Sequence, residues 1–183
     1  MEIKRDRYLK KIISFMWDGQ VKVITGIRRC GKSYLLRNLF KSYLLSEGVA
    51  EDHILSFELD LTRDIRYRNP LELSAHVREI VERSADQYYL FVDEIQEIED
   101  FQLCLRSLLN ENKCDIYCTG SNAKMLSGEL ATHLAGRYIE FPVHSLSYEE
   151  FLTFNRRQDS SESLRLYLTF GAVSYTHLRA HET

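Results

Sequence analysis

Residues Gly26 to Ser33 read GIRRCGKS, the residue types and spacing from which a phosphate-binding loop is built. Glycines let backbone N–H groups turn inward around phosphate oxygens, and a helix that follows directs its positive N-terminal end at the same point. We expect Lys32 to reach the β and γ phosphates. Ser33 would place its hydroxyl on Mg²⁺, a cation that prefers oxygen ligands. The run therefore predicts a bound nucleoside triphosphate, ATP, with magnesium.

The whole loop and the first turn after it are expected to line the nucleotide site. These residues are Gly26, Ile27, Arg28, Arg29, Cys30, Gly31, Lys32, Ser33 and Tyr34. Two interpretations remain open for the variable positions. The two arginines contact phosphate or a neighbouring subunit, or they form a solvated loop face, and Cys30 is a small filler or a redox-active thiol.

A second motif, with two acidic residues, follows in YYLFVDEIQ, where Asp93 and Glu94 end an apolar strand. The carboxyl ends of parallel strands meet at one edge of a sheet, so we expect these carboxylates beside the phosphate loop, on the strand that neighbours it. Asp93 is expected to hold Mg²⁺ through its water shell, and Glu94 to polarise the water that attacks the γ-phosphoryl group. Gln96 either orients polar groups there or is an ordinary loop residue.

The run CTGSN ends a further strand and offers hydroxyl and amide groups to the same edge. We select Ser121 as the group that contacts the attacking water or the γ-phosphate, with Thr119 and Asn122 behind it. An equally strong alternative is that Ser121 and Asn122 only begin the next helix.

The elements that must position these groups alternate along the chain. Apolar runs predict strands over 21–25, 54–59, 88–92, 115–119 and 138–141, the last ended by Pro142 or confined by it to a sheet edge. Helical spacing occurs over 34–45, 70–81, 101–109, 122–134 and 148–170. This alternation predicts an α/β P-loop NTPase fold, a parallel five-stranded sheet sandwiched by helices.

Composition excludes several classes of protein. The chain has 183 residues, 44% of them hydrophobic and 28% charged, with a net charge of −3, which suits one α/β domain and gives no electrostatic support for nucleic-acid binding. The basic N-terminal residues are expected on the solvated face of an amphipathic helix: Lys4, Arg5, Arg7, Lys10 and Lys11. Four scattered cysteines are expected in the core. The sequence shows no apolar run that could span a bilayer and no signal peptide. We therefore expect the protein to be cytoplasmic and to have no membrane partner.

The combination of four segments resembles the AAA-type ATPases of prokaryotes that carry a C-terminal domain of unknown function. These segments are ITGIRRCGKSYLL, LFVDEIQ, TGSNAKMLSGELATHLAGRYIEF and PVHSLSYEEFL, and the match covers most of Met1 to Ala172. The resemblance implies that Lys32, the acidic pair and the strand-end polar residue act as described above. It also implies that Arg137, just before the last strand, is an arginine finger for a neighbouring subunit; a surface salt bridge is an equally plausible role.

The resemblance divides the chain into an AAA-type ATPase domain over 1–145 and the helical start of a truncated region over 146–172. The remaining residues, 173–183, read VSYTHLRAHET and look like the translation of a transposase adapter used for sequencing libraries. We therefore expect them to be artificial and the natural protein to be longer.

Three functions remain for the chain. The first is a magnesium-dependent ATPase, with Glu94, Lys32, Ser121 and Arg137 as catalytic residues, that drives conformational change in an appended domain or an unknown protein partner. The second is a nucleotide-operated switch with little hydrolysis. The third, a P-loop kinase for a small molecule, does not need Glu94 as a water activator. A homo-oligomer is left open by all three.

Overall fold

A computed structural model of the protein describes residues 5–120 and 132–170, and five strands within them form one parallel sheet. The strands are β1 Val21–Thr25, β2 Ile54–Glu58, β3 Tyr88–Asp93, β4 Cys114–Gly120 and β5 Tyr138–Pro142. Their order across the sheet is β2-β3-β4-β1-β5. The α/β class and the five-stranded parallel sheet predicted from the sequence are confirmed.

Six helices of at least eight residues precede, connect or follow these strands within the described residues. They are α1 Asp6–Ile13, α2 over 32–46, α3 Pro70–Val81, α4 Phe101–Glu111, α5 Tyr148–Asn155 and α6 Ser161–Phe170. Helix α2 begins with the α-helical turn Lys32–Tyr34, continues as the π-helical segment Leu35–Phe40 and ends as Lys41–Ser46. Short 3-10 turns occupy Glu51–His53, Thr62–Arg68 and Ile95–Glu97.

The helices form a layer on each face of the sheet. On one face, Leu73 and Val77 of α3 and Leu105 of α4 join a core cluster with alternate strand residues such as Leu90 and Ile116. On the other, α1 and α2 cover the residues that point the opposite way, among them Ile24, Phe91 and Tyr117. Strands covered on both faces are predominantly apolar, and β1, β3 and β4 are buried at every position.

Two expectations about the sheet have different outcomes. Strand β5 lies at an edge and Pro142 is its last residue, as predicted. The expectation that the strand of Asp93 neighbours the strand of the phosphate loop is wrong, because β4 lies between β3 and β1. Sequence order does not determine spatial order in a parallel sheet, since each strand is reached by a crossover that can pass over a neighbour.

The expected helical stretch over 148–170 is two helices. Helix α5 ends at Asn155; the next residue, Arg156, has a left-handed φ of 52°, and α6 begins at Ser161. The rings of Phe151 and Tyr167 join the two helices, with centroids 5.4 Å apart. The predicted helix over 122–134 lies mostly outside the described residues. The segment 173–183 lies entirely outside them.

A buried ionic network holds the edge of the sheet where the strands begin. Lys22 is fully buried, and its Nζ lies 2.6 Å from Oδ1 of Asp115 and 2.6 Å from Oδ1 of Asp18. Tyr117 donates its hydroxyl to Asp115 Oδ2 at 2.7 Å, and the backbone N–H of Trp17 donates to the same oxygen at 2.9 Å. Burial first, and then the Asp115 carboxylate, raise the pKa of Tyr117 above its ordinary value. The network fastens the segment after α1 to the sheet.

All four cysteines, Cys30, Cys104, Cys114 and Cys118, are buried and form no disulfide. Burial raises the pKa of the Cys114 and Cys118 thiols to about 12, so both stay protonated at neutral pH. Their expected place in the core is confirmed. Among the described residues, none of the helices has the length and apolar character needed to cross a bilayer.

Candidate functional site

The phosphate loop leaves β1 at Gly26 and ends where α2 begins at Lys32. Three of its residues have left-handed backbone: Gly26 with φ 145°, Arg29 with φ 67° and Gly31 with φ 97°. Glycine adopts these angles without the steric penalty of a Cβ, which explains the two glycines of the motif. The loop therefore curves back on itself in front of the N-terminus of α2, the arrangement that binds phosphate.

Lys32 lies inside this curve. Its side chain is nearly buried, and Nζ donates to the carbonyl oxygens of Gly26 at 3.1 Å and Ile27 at 3.2 Å. Both acceptors belong to the loop itself, so the amine is held at the position from which it can meet a phosphate oxygen. Arg28, Arg29 and Ile27 are exposed, while Cys30 is buried in the core cluster beneath α2.

Ser33 and Asp93 meet although they come from different motifs. The Ser33 hydroxyl donates to Asp93 Oδ1 at 2.8 Å, and Thr119 at the end of β4 donates its hydroxyl to the same carboxylate oxygen. Asp93 is buried. A hydroxyl beside a carboxylate provides hard oxygen donors, the ligands that Mg²⁺ prefers. No cluster of three or more His, Cys, Asp or Glu side chains suited to a metal occurs in the described ranges.

Glu94 follows Asp93 with a left-handed backbone, φ 56°. Its backbone N–H donates to Thr119 Oγ1 at 3.0 Å, and its carboxylate Oε2 accepts a hydrogen bond from Gln96 Nε2. Of the two interpretations of Gln96, the contact with Glu94 favours an orienting residue. Thr119, which we considered a weaker candidate than Ser121 from the sequence, thus contacts both acidic residues. Ser121 lies outside the described residues.

Sequence reasoning missed Arg37 and Glu58. Glu58 ends β2 opposite Asp93 in the register, and Arg37 forms an ion pair with it. The Nη1 of Arg37 also lies 4.0 Å from Asp93 Oδ2. Both had a sequence signal. Glu58 is the last charged residue of the predicted strand over 54–59, and Arg37 stands four residues after Ser33 on the same helix face.

Arg5 was expected on the solvated face of the N-terminal helix, and this expectation is wrong. Its side chain is buried, with 2% of its surface exposed, and it donates from Nη1 to the carbonyl of Cys30 at 2.7 Å. Nothing in the one-dimensional pattern distinguishes Arg5 from the neighbouring basic residues, because α1 begins only at Asp6 and helical spacing does not apply before it.

Arg137 lies away from these groups. It precedes β5, whose first residue Tyr138 pairs with Val21 at the start of β1, so Arg137 is at the edge of the sheet opposite the phosphate loop. It is exposed, and its Nη1 donates to Asn110 Oδ1 at 2.9 Å. Arg137 forms no ion pair with a described residue, and its role in hydrolysis stays a prediction.

A cavity of about 900 Å³ opens beside the phosphate loop. It lies between Gly26 and Ile27 of the loop, Tyr8 of α1, the segment 142–147 after β5, and Tyr167 of α6. This volume is within the ordinary range for a small-molecule site.

Comparison of the chain with known proteins identifies related families and structures. The family model described as AAA domain matches residues 18–152. An uncharacterized protein of Haemophilus influenzae is 39% identical over 155 residues, which cover 82% of this chain. The chain spans 37% of the length of that relative.

Two solved structures share the fold. The closed state of Hsp104 with ATPγS and casein has a TM-score of 0.60 and 19% identity, over 83% of this chain and 28% of that chain. The Aeropyrum pernix ORC1 protein, solved in complex with DNA, has a TM-score of 0.56 and 14% identity, over 83% of this chain and 49% of that chain. At such identities the likeness shows the fold alone.

Proposed function

Because this chain belongs to the AAA domain family, we propose that it is a magnesium-dependent ATPase that converts ATP and water to ADP and phosphate. The observation that carries the proposal is the 2.8 Å hydrogen bond between Ser33 and Asp93. It joins the phosphate loop to the acidic strand end although β4 separates their strands. This contact supports the proposal, because it brings the phosphate loop and the acidic strand end to one edge of the sheet.

The phosphates would lie in the curve of the loop over residues 26–34, with backbone N–H groups and the Lys32 ammonium as donors. Ser33 and Asp93 would hold Mg²⁺, which supplies positive charge that offsets the charge developing on the phosphoryl oxygens. The cavity beside Gly26 would take the base and ribose. Tyr8 and Tyr167 line this cavity and offer aromatic rings to it.

Glu94 is the proposed general base for hydrolysis. Its carboxylate would accept the proton of the attacking water, and Gln96 and Thr119 hold it by its side chain and by its backbone N–H. Ser121 is the proposed group on the opposite side of the water. Arg137, remote from the site of its own subunit, is the proposed finger for a neighbouring one.

The output of hydrolysis is proposed to be mechanical: a conformational change passed to an appended domain or a protein partner. A matched relative more than twice as long, of which this chain spans 37%, supports an appended region in the natural protein. We keep the division into an ATPase domain over 1–145 and a helical region from 146 onwards, and we propose the cytoplasm as its location.

Phosphate release with ATP and Mg²⁺ tests the proposal directly. Glu94→Gln should lower the rate at least about 100-fold while ATP still binds, since it removes the base but keeps the shape. Lys32→Ala should instead lose ATP binding, measured by titration with a fluorescent ATP analogue.

A Glu94→Gln variant that hydrolyses ATP as fast as the parent would refute the assignment of the base. The hydrogen bond from Gln96 to Glu94 also suits the nucleotide-operated switch, in which the carboxylate stays engaged. ATP binding by the parent without phosphate release would favour that second function.

A further inference from the structure

Arg5 connects three segments that are distant in the sequence. Its Nη1 donates to the Cys30 carbonyl at 2.7 Å, its Nη2 donates to the His144 carbonyl after β5, and its Nε lies 3.5 Å from Oε1 of Glu150 in the first turn of α5. The guanidinium also lies 4.6 Å from the centroid of the Tyr8 ring. We name this set the Arg5 clamp.

Burial makes these contacts interdependent. The side chain of Arg5 is 2% exposed, and a buried guanidinium that loses a partner is not compensated by water. The rigid planar fork holds its acceptors in fixed directions, which the flexible ammonium of lysine does not do. The positions of Cys30, His144 and Glu150 are therefore fixed relative to one another.

At the phosphate loop the clamp acts on a peptide group. In a trans peptide, the C=O of one residue and the N–H of the next point in opposite directions. The Cys30 carbonyl points at Arg5, so the N–H of Gly31 points away from Arg5. A Cβ added to Gly31 would lie 3.3 Å from Arg5 Nη1, which shows how closely the loop packs on the guanidinium. Arg5 thereby fixes the orientation of one of the loop's phosphate-facing donors.

At its other end the clamp acts on the start of α5. Glu150 Oε2 accepts from the backbone N–H of Ser147 at 2.8 Å, and Ser147 Oγ accepts from the N–H of Glu150 at 3.1 Å, which forms a capping box. One oxygen of Glu150 thus caps the helix and the other faces Arg5. Tyr167 of α6 donates to the Leu146 carbonyl at 3.0 Å, so α6 is attached at the same point.

The cavity proposed for the base lies between the two ends of the clamp, because Gly26, Ile27, Glu150 and Tyr167 all line it. We propose that Arg5 is a positioning residue that ties the phosphate loop to the helical pair α5 and α6, so that nucleotide binding and the placement of that pair depend on each other. The coupling rests on the proposed ATP site. The contact with Glu150 is the longest of the three and is the one that a movement of α5 would break first.

Glu150→Gln is the mildest test, because glutamine preserves the capping box and removes the charge that faces Arg5. Glu162→Gln is the matched control: it makes the same change on α6, where Glu162 pairs with Arg157 at 3.7 Å and is 80% exposed. The measurement is amide hydrogen exchange over residues 147–155, without nucleotide and with saturating ATP and Mg²⁺, together with the Kd for ATP.

In the parent and in Glu162→Gln, we expect ATP to slow exchange over 147–155 by about fivefold. In Glu150→Gln this slowing should fall below about twofold, and because coupling is reciprocal the Kd should rise about threefold or more. Arg5→Lys should have the same two effects. When the two changes are combined, Glu150→Gln should add little to the effects of Arg5→Lys, since Arg5→Lys already disrupts the contact with Glu150.

An ATP response of α5 in Glu150→Gln equal to that of the parent would overturn the coupling. Additive effects of Arg5→Lys and Glu150→Gln on the Kd would overturn it too, because they would indicate separate contacts with the ligand. Failure of the parent to bind ATP would refute the proposed function and the coupling with it. Unchanged exchange in nucleotide-free Glu150→Gln would refute the clamp alone.

Discussion

At the scale of single residues, Thr119 joins the two acidic groups of the site. Its hydroxyl donates to Asp93 Oδ1 and accepts from the backbone N–H of Glu94 at 3.0 Å. One side chain thereby orients both the proposed metal ligand and the proposed base. The strand-end position of Thr119 was visible in the sequence, but its preference over Ser121 depends on the side-chain contact.

Replacing Thr119 by valine should separate hydrolysis from binding. Valine keeps the volume and removes the hydroxyl, so Asp93 and Glu94 lose a common partner while the phosphate loop is untouched. We expect kcat to fall about 10- to 100-fold, because small displacements of catalytic groups have effects of this size. The Kd for ATP should change less than about threefold. Phosphate release and ATP titration provide both numbers.

Thr169→Val on α6 is the control, since its hydroxyl bonds only the Arg165 carbonyl of its own helix among the contacts described. The loss of buried hydrogen bonds at Thr119 should also reduce the free energy of unfolding by about 1–3 kcal/mol, which urea denaturation measures. Equal loss of rate and of ATP affinity in Thr119→Val would contradict the orienting role.

At the scale of elements, the phosphate loop depends on the segment after β5. Val143 donates its N–H to the Thr25 carbonyl at 2.8 Å, which places its own carbonyl against Gly26. A Cβ on Gly26 would lie 2.2 Å from that carbonyl oxygen and 2.8 Å from Cys30 Sγ. The first glycine of the motif is therefore required by packing against a neighbouring strand end as well as by its φ of 145°.

Gly26→Ala should consequently abolish ATP binding in a protein that is destabilised but folded. The overlap is with backbone, which cannot rotate away, and we expect a loss of about 1–3 kcal/mol from overpacking in addition to the backbone strain. Gly48→Ala is the matched control: φ is 87° there, with no atom within 4 Å of the added Cβ, so only about 1 kcal/mol should be lost. Urea midpoints and ATP titration distinguish the two variants. Tight ATP binding by Gly26→Ala would show that the loop can move away from Val143.

At the scale of the whole molecule, the location of Arg137 bears on assembly. The residue lies at the edge of the sheet where the strands begin, and the proposed ATP site lies at the edge where they end. Arg137 cannot reach the site of its own chain across the length of the strands. If it stabilises charge in hydrolysis, it does so in the site of another copy.

Mixing two inactive variants tests this arrangement. Arg137→Ala should lower phosphate release about 10³-fold, as loss of an arginine finger does. Glu94→Gln should be inactive because it lacks the proposed general base. An equal mixture should recover activity, because a Glu94→Gln subunit supplies Arg137 to the intact site of the other. The rate per subunit of the parent should also rise with protein concentration.

Arg106→Ala, an exposed arginine on α4, is the control that should retain the parent rate. Unchanged activity of Arg137→Ala, or a parent rate independent of concentration, would remove the intersubunit role. The surface hydrogen bond to Asn110 would then account for Arg137.

Local patterns in the sequence were sufficient to locate the five strands and most of the described helices. The strand over 21–25 and the helix over 70–81 match the structure at both ends, because burial period and the proline at the first helical position are local signals. The residue types of GIRRCGKS and VDE likewise predict phosphate and magnesium from chemistry that a few neighbouring residues contain.

Only the tertiary structure decided which strand ends lie together and what supports them. The order β3-β4-β1 put Thr119 between the loop and the carboxylates, and the return of the chain after β5 brought His144 and Glu150 to Arg5. These pairings join residues up to 145 positions apart, the separation of Arg5 and Glu150. Their geometry is set by helix packing on both faces of the sheet, to which distant parts of the chain contribute together, so no single segment of the sequence encodes it.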